Sequence, residues 1–300
     1  MAGEEAAATQ NPGLSSSASA SRFTDLEFDP KGSAEELTPL SSSSDIPWPK
    51  VSIVIPALNE ARNLPHVFSL LPPALHEVII VDGRSEDDTI AVARRLRPDA
   101  RIITQSRSGK GNALACGFAV ATGDIIVMVD ADGSADPAEI PQFVTALLDG
   151  ADFAKGTRFA AGGGSSDITR LRRAGNWVLS SMVNVLCRTK YSDLCYGYNA
   201  FWRRHVPVFG LDAESAIPAG GGRLWGDGFE VETLINIRIA QAGLNITEVP
   251  SYEHERIHGV SNLNAFSDGL RVLRTILVER SYSRSRATSA RTPRAHAQRD

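Results

Sequence analysis

The stretch that decides the fold is Gly109–Ser134, GKGNALACGFAVATGDIIVMVDADGS. Its first half predicts a helix over Asn112–Thr122, closed by Gly123. Its second half, Ile125-Ile-Val-Met-Val129, is a short apolar run that ends on Asp130-Ala131-Asp132. A strand that is apolar at every position is buried on both faces, as in a parallel sheet with helices on either side. The same alternation repeats upstream. Val51-Ser-Ile-Val-Ile55 ends at Pro56, and Asn63 with Pro65 reads as a helix start. Glu77-Val-Ile-Ile-Val81 ends at Asp82-Gly83, and Ser85-Glu-Asp-Asp88 has a capping-box pattern before a helix over Thr89–Leu96. Arg101–Thr104 is a third strand, and Asp136-Pro137-Ala-Glu139 opens a helix that stops at Gly150. This order predicts an α/β fold with a mostly parallel, Rossmann-like sheet and helices on both faces. In such sheets ligands bind at the carboxyl ends of the strands, where Pro56, Asp82 and Asp130 fall.

Outside this alternation the 300-residue chain changes character. Residues 1–48 are rich in Ser, Ala and acids and read as a disordered leader. Residues 281–300 are rich in Ser and Arg and read as a disordered basic tail. The folded domain is expected over residues 49–280. Hydrophobic content of 42% and charged content of 22% suit a soluble globular protein. A net charge of −4 argues against a nucleic-acid partner. No apolar run is long enough to cross a bilayer, and the acidic N-terminus is no secretory signal. Three cysteines without a CxxC pair argue against a disulfide framework or zinc knot. A cytoplasmic enzyme is the expectation. The basic tail offers peripheral contact with anionic lipid at the inner face of a membrane, although a solvated terminus is the plainer reading. No motif bears on oligomeric state.

Asp130 and Asp132 are the candidate metal ligands. If the chain stays extended after the strand, side chains two apart share a side and can converge on one cation. Mg²⁺ and Mn²⁺ prefer oxygen ligands and commonly bridge a carboxylate to a diphosphate. The plainer reading is a polar turn. Lys110, beside a predicted helix N-terminus, suits an anionic donor. Gly109-Lys110-Gly111-Asn112 is no Walker A loop, because the spaced glycine is missing and Asn112 replaces Ser/Thr.

From Val51 to about Leu277 the chain resembles a family 2 glycosyltransferase with the GT-A fold and, within that family, the dolichol-phosphate mannose synthase and polyprenyl-phosphate glycosyltransferase branch. The resemblance is carried by VSIVIPALNEARNL, EVIIVDGRSEDDT, the stretch quoted above, GTRF, DLCYGYNAFWRR and GFEVETLINIRIAQAGLNITEVPSYEHERIHGVSNL. It implies transfer of a sugar, with inversion and divalent-metal assistance, from a UDP- or GDP-sugar to a hydroxyl or a polyprenyl-phosphate. It also implies that Pro56, Ala57, Asn59, Glu60 and Asp82 hold the nucleotide. Asp130, Ala131 and Asp132 match the metal and diphosphate motif, and Arg158 and Arg256 match basic residues near the donor phosphates. One departure is the turn Asp82-Gly83-Arg84-Ser85, where many relatives have Asp-Asp-Gly-Ser. Asp193, Tyr198 and Asn199 fall in the part of the pattern that faces the acceptor. The branch often carries C-terminal membrane spans, absent from this sequence.

A sugar-hydroxyl acceptor requires a carboxylate base, whereas a phosphate acceptor is already ionised. Trp225-Gly-Asp227-Gly-Phe-Glu230-Val-Glu232 supplies three acids at a helix start. Glu230 is the preferred catalytic acid, on the resemblance to an FDVE-like stretch, with Asp227 second. The plainer reading is that they favour the helix terminus electrostatically. His258 is a candidate third metal ligand or an ordinary surface histidine. Gly162-Gly-Gly164 predicts a mobile loop beside the site, and the apolar spacing of Trp177–Cys187 predicts a helix turned to the core rather than an acceptor groove. The alternative to an enzyme is a catalytically silent sugar-nucleotide-binding or regulatory module on the same fold.

Overall fold

A computed structural model describes residues 48–215, 223–259 and 265–291. The leader, all but Trp48, lies outside the described residues, as do Ser261-Asn262-Leu263 and residues 292–300. The elements run β1 (Val51–Ala57), α1 (Leu64–Ser69), β2 (Glu77–Asp82), α2 (Thr89–Leu96), β3 (Arg101–Thr104), α3 (Lys110–Val120), β4 (Ile125–Met128), α4 (Ile140–Leu148), β5 (Phe153–Thr157), β6 (Gly164–Ser165), α5 (Arg170–Cys187), β7 (Asn199–Trp202), α6 (Val206–Phe209), α7 (Val231–Gln241), β8 (Ile246–Pro250), β9 (Tyr252–Glu253) and α8 (Ala265–Arg291). The seven-stranded sheet has the order β3-β2-β1-β4-β7-β5-β8. Only β7 runs against its neighbours, pairing antiparallel with both β4 and β5. This is the mostly parallel α/β sheet that the apolar runs imply.

Burial on both faces follows from the strand sequences. Val51, Ile53, Ile55 and Ala57 of β1 pack with Val78 and Ile80 of β2 and Ile125 and Val127 of β4 against α1, α2 and α4. The intervening Val54, Ile79, Val81, Ile126 and Met128 pack against α3, α6 and α7. Each such side chain, fully buried, contributes about 1.5–3 kcal/mol of hydrophobic free energy. Helix α3 is buried along its whole middle, Gly111 to Phe118. Its first turn lies so close to the segment before α7 that a Cβ on Gly111 would sit 1.7 Å from the Gly226 carbonyl oxygen.

Several local expectations change. Helix α3 starts two residues early, at Lys110. Asn63 flanks α1 but makes no side-chain cap, and α2 begins without the expected capping box. Instead the Asp87 carboxylate accepts from the Thr89 backbone N–H at 3.0 Å. Gly164 and Ser165 are no free loop: they pair with Tyr252 and Glu253 as the parallel ladder β6–β9. Helix α8 carries its backbone to Arg291, past residue 280 where the tail was expected to begin. No helix among the described residues is long and apolar enough to cross a membrane.

Candidate active site

The carboxyl ends of β1, β2 and β4 open into a cavity of about 1350 Å³. Pro56, Ala57, Glu60, Gly83, Lys110, Asp130, Ala131, Asp132 and Arg256 line its charged end. Strand β4 stops at Met128, and the chain turns through Ala131-Asp132-Gly133, with Gly133 at φ +77°. The aspartates therefore reach the cavity by a turn and not by the extended-chain alternation expected of them.

Each carboxylate meets a different cation. Lys110 Nζ lies 2.7 Å from Asp130 Oδ1 and 2.6 Å from Glu232 Oε1. Burial opposes a charge on Lys110, but the two carboxylates outweigh it and hold its pKa well above the lysine range. Arg256 spans the other pair, with Nη1 3.0 Å from Glu60 Oε1 and Nη2 3.1 Å from Asp132 Oδ2. Burial pushes the Glu60 carboxyl up, while Asn63 and Arg256 pull it down, and the net shift is upward. Asp132 Oδ1 also accepts from the Ser134 backbone N–H and hydroxyl at 3.0 and 2.7 Å. Two carboxylates and a hydroxyl at the mouth of a cavity are the hard oxygen donors a divalent ion takes. Mg²⁺ commonly completes its shell with waters and substrate phosphate, so this set fits one. Among the described residues no group of three or more His, Cys, Asp or Glu side chains is placed to hold a metal alone.

Beyond the charges the cavity turns apolar. Ile168, Leu171, Val178, Leu179 and Met182 line it from α5 and the residue pair before it, and Leu270, Val272 and Leu273 line it from α8. The expectation that α5 turns its apolar residues to a core holds for Val183, Leu186 and Cys187, which pack with Ile237 and Ile276, whereas Val178 and Met182 face the cavity. Its buried residues are Asn176, Ser180 and Val183, two of them polar.

Residues 52–207 match the family described as Glycosyl transferase family 2. The chain belongs to glycosyltransferase family 2. It is 30% identical over 228 residues to the glycosyltransferase AglJ of Haloferax volcanii, covering 73% of this chain and 68% of that one. It is 40% identical over 108 residues to an uncharacterised glycosyltransferase of Mycobacterium tuberculosis, but the match spans 36% of this chain and only 48% of that relative. A dolichol-phosphate mannosyltransferase of Pyrococcus furiosus is 36% identical over 121 residues, 38% of this chain and 34% of that one. Among solved structures, glucosyl-3-phosphoglycerate synthase from Mycobacterium tuberculosis in complex with Mn²⁺ and UDP-glucose superposes with a TM-score of 0.58 at 24% identity, covering 77% and 79% of the two chains. That likeness supports the fold.

Not every acid and base expected at the site of this glycosyltransferase faces the cavity. Asp227 is clamped on Arg107, which donates from Nε and Nη2 at 2.9 Å each, with both side chains buried. Glu230 flanks the start of α7, and its Oε1 accepts from the Gly226 and Gly228 backbone N–H groups at 3.2 Å. Neither carboxylate lines the cavity; Glu232 does. Acids two apart on a helix point to different sides, so the resemblance located the stretch but not the phase. The α3 N-terminus is likewise occupied, since the Gly111 and Asn112 N–H groups donate to the Asp227 carbonyl at 2.8 and 3.2 Å.

Asp82 and Asn59 hold the glycosyltransferase's loops together. Asp82 Oδ2 accepts from the Arg84 N–H at 3.0 Å, and the Asn59 amide oxygen accepts from the Glu86 N–H at 2.8 Å. Asn59 and Arg84 both adopt left-handed backbone, at φ +58° and +68°. A short polar side chain tolerates that region; an arginine there is unusual. Arg158 lines the cavity, yet its Nε and Nη2 bind Asp193 at 2.6 and 2.9 Å and its Nη1 binds Glu253 at 3.0 Å. Burial works against Asp193, but the Arg158 hydrogen bonds hold its carboxyl below the usual range. The guanidinium thus ties the end of β5 to the segment around Asp193 and to β9. His258 is turned toward His66, with ring centroids 5.7 Å apart, and does not line the cavity, so its place as a third metal ligand is not supported. Tyr198 and Asn199 are buried, the first stacked on Phe143 at 4.4 Å.

The sequence reading missed Glu232 as a distinct residue, and also Arg107 and Lys155. Lys155 is fully buried, donates to the Gly156 and Tyr196 carbonyls at 2.7 and 2.8 Å, and is pushed down to about 8 by burial. Strand alternation marks Lys155 as inward, but no local signal names its partners.

Proposed function

We propose that this glycosyltransferase moves a sugar, with inversion, from a nucleotide-diphosphate sugar to a polyprenyl-phosphate. The observation that carries this reading is the two-part cavity, whose charged end opens directly onto an apolar wing from α5 and α8. A phosphate-headed chain fits both parts at once. The absence of an idle base among the expected acids supports the same choice, because Asp227 and Glu230 are turned into the fold and Glu232 is paired with Lys110. A phosphate oxygen is already ionised and attacks without deprotonation.

In this reading Pro56, Ala57 and Gly83 seat the nucleotide against the strand ends. The acceptor phosphate oxygen attacks the anomeric carbon in line, a new C–O bond forms, and the bond to the diphosphate breaks with its electrons leaving on the nucleotide. Asp130 and Asp132 would hold Mg²⁺ or Mn²⁺, which when bound neutralises diphosphate charge. Lys110 and Arg256 add fixed positive charge at the same end, where preorganised cations favour the departing anion. Arg158, bound to two carboxylates, positions the acceptor side rather than the donor phosphates.

The test is a screen of UDP- and GDP-sugars with Mg²⁺ or Mn²⁺, against a polyprenyl-phosphate and a soluble hydroxyl acceptor such as phosphoglycerate, with products read by mass. A sugar-bearing polyprenyl-phosphate is expected. Product from the soluble acceptor alone, or donor binding without any transfer, overturns the reading. Asp132→Asn should lower metal-dependent turnover about a hundredfold or more while leaving Tm nearly unchanged; near-normal turnover removes Asp132 from the site.

A further inference from the structure

Helix α5 buries one apolar stripe, with Val183 packed against Ile237 and Ile276 and Leu179, Leu186 and Cys187 beside it, and it leaves a second apolar line exposed. A helix on a globular domain normally buries its apolar stripe. Here Asn176 and Ser180 also face inward, where the Asn176 amide oxygen accepts from the Cys195 N–H at 3.2 Å and the Ser180 hydroxyl accepts from the Leu194 N–H at 3.1 Å. Leu171, Val178 and Val185, seven residues apart and so in one line along the helix, are 58%, 49% and 79% exposed. Trp177 beside them is 69% exposed. Basic residues flank the line: Arg170, Arg173, Arg188 and Lys190 are exposed, and no acid occurs between Ile168 and Ser192. The rest of the chain is net acidic, so this positive charge is local.

We propose that the exposed face of α5 docks on an anionic lipid bilayer, with α5 lying in the plane of the interface. Val185 enters the acyl boundary, Leu171 and Val178 carry the rim of the cavity's apolar wing down to it, Trp177 sits at the headgroup level, and the arginines meet lipid phosphate. An apolar line with one aromatic and a basic flank is the composition of interfacial helices, and long basic side chains keep their charge in the headgroups while covering apolar surface. Behind Trp177 a cleft of about 580 Å³ is lined by Arg173, Lys190, Ser181, Thr189 and Ser192, cations and hydroxyls suited to a phosphate headgroup. Helix α8, which packs against α5, adds exposed Leu270 and Leu277. This surface does not depend on the transfer chemistry. It brings the apolar wing of the cavity to the layer in which a long-chain acceptor resides.

The test uses the full chain with vesicles of phosphatidylcholine, alone or mixed with phosphatidylglycerol, in co-sedimentation and tryptophan emission. Binding to the mixed vesicles and not to the neutral ones is expected, with a blue-shifted emission that Trp177→Ala removes. Val185→Glu and Arg188→Glu should each weaken binding about fivefold or more, with unchanged circular dichroism and unchanged UDP affinity. A chain that stays off the mixed vesicles overturns the proposal, as do α5 variants that bind as well as the parent. Val185→Glu that dissolves a dimer without altering vesicle binding assigns the face to a second copy and overturns it too. Vesicle binding without any sugar transfer leaves the docking surface standing and removes only the transfer reading.

Discussion

At the scale of single residues, acids of similar sequence context do different work. Asp227 and Glu232 lie five positions apart, yet one is sealed against Arg107 and the other shares Lys110 with Asp130. Asp227→Asn should therefore act on stability: it leaves the Arg107 guanidinium buried without its counter-charge, a loss of about 3–5 kcal/mol. Chemical denaturation should show that loss, while the folded fraction keeps its turnover. Glu232→Gln should act on the site. Removing one of two carboxylates frees Lys110 to bind Asp130 alone, so donor KM and kcat should change while the denaturation midpoint moves by far less than in Asp227→Asn. Equal effects in both variants would refute the separation. The sequence marked this cluster of acids but not their division of labour, because the partners Arg107 and Lys110 lie more than a hundred residues away.

At the scale of elements, the strands were legible and the junctions were not. Continuous apolar runs in β1, β2 and β4 can satisfy both faces of a sheet only when helices cover each side, which is what the chain does. Junctions depend on contacts between distant segments. The start of α3 is set by the Asp227 carbonyl, which no local pattern around Lys110 announces. Gly111 permits that contact, and Gly111→Ala would drive a methyl group into the Gly226 carbonyl. We expect a cost of several kcal/mol by denaturation, unlike the gain of roughly 0.5–1 kcal/mol when Ala replaces Gly in an open helix. Helix α5 was only half legible for a related reason, since Val183 and Leu186 face a core while Val178 and Val185 do not. Apolar spacing reports periodicity, and it does not report whether the apolar side faces protein or something outside it.

At the scale of the whole molecule, a chain of contacts runs from the C-terminal helix toward the charged end of the cavity. Glu279 of α8 accepts from the Trp225 indole N–H at 2.9 Å and pairs with Arg238 of α7 at 2.9 Å. Trp225 precedes Gly226 and Asp227, whose carbonyls press on the first turn of α3 and hence on Lys110. Glu279→Ala removes a buried carboxylate from this chain of contacts. The expected result is a stability loss of about 3 kcal/mol and, in calorimetry on the folded protein, weaker UDP binding. Unaltered UDP affinity would show that α8 supports the fold without reaching the site. The order of motifs from Val51 to Leu277 was enough to place the chain in its family. The linkage through Glu279 belongs to three-dimensional packing and could be seen only there.

The ion pairs described above also give the molecule two different responses to ionic strength. Arg107–Asp227 and Arg158–Asp193 are sunk in protein, with side chains at most 5% exposed, where mobile ions screen little. The arginines and lysine along α5 stand in solvent, where a Debye length of about 8 Å at physiological ionic strength already weakens them and more salt weakens them further. A rise in salt would therefore loosen whatever α5 holds while leaving the clamps behind the cavity intact. Salt becomes a means of separating where this glycosyltransferase sits from how its site is built.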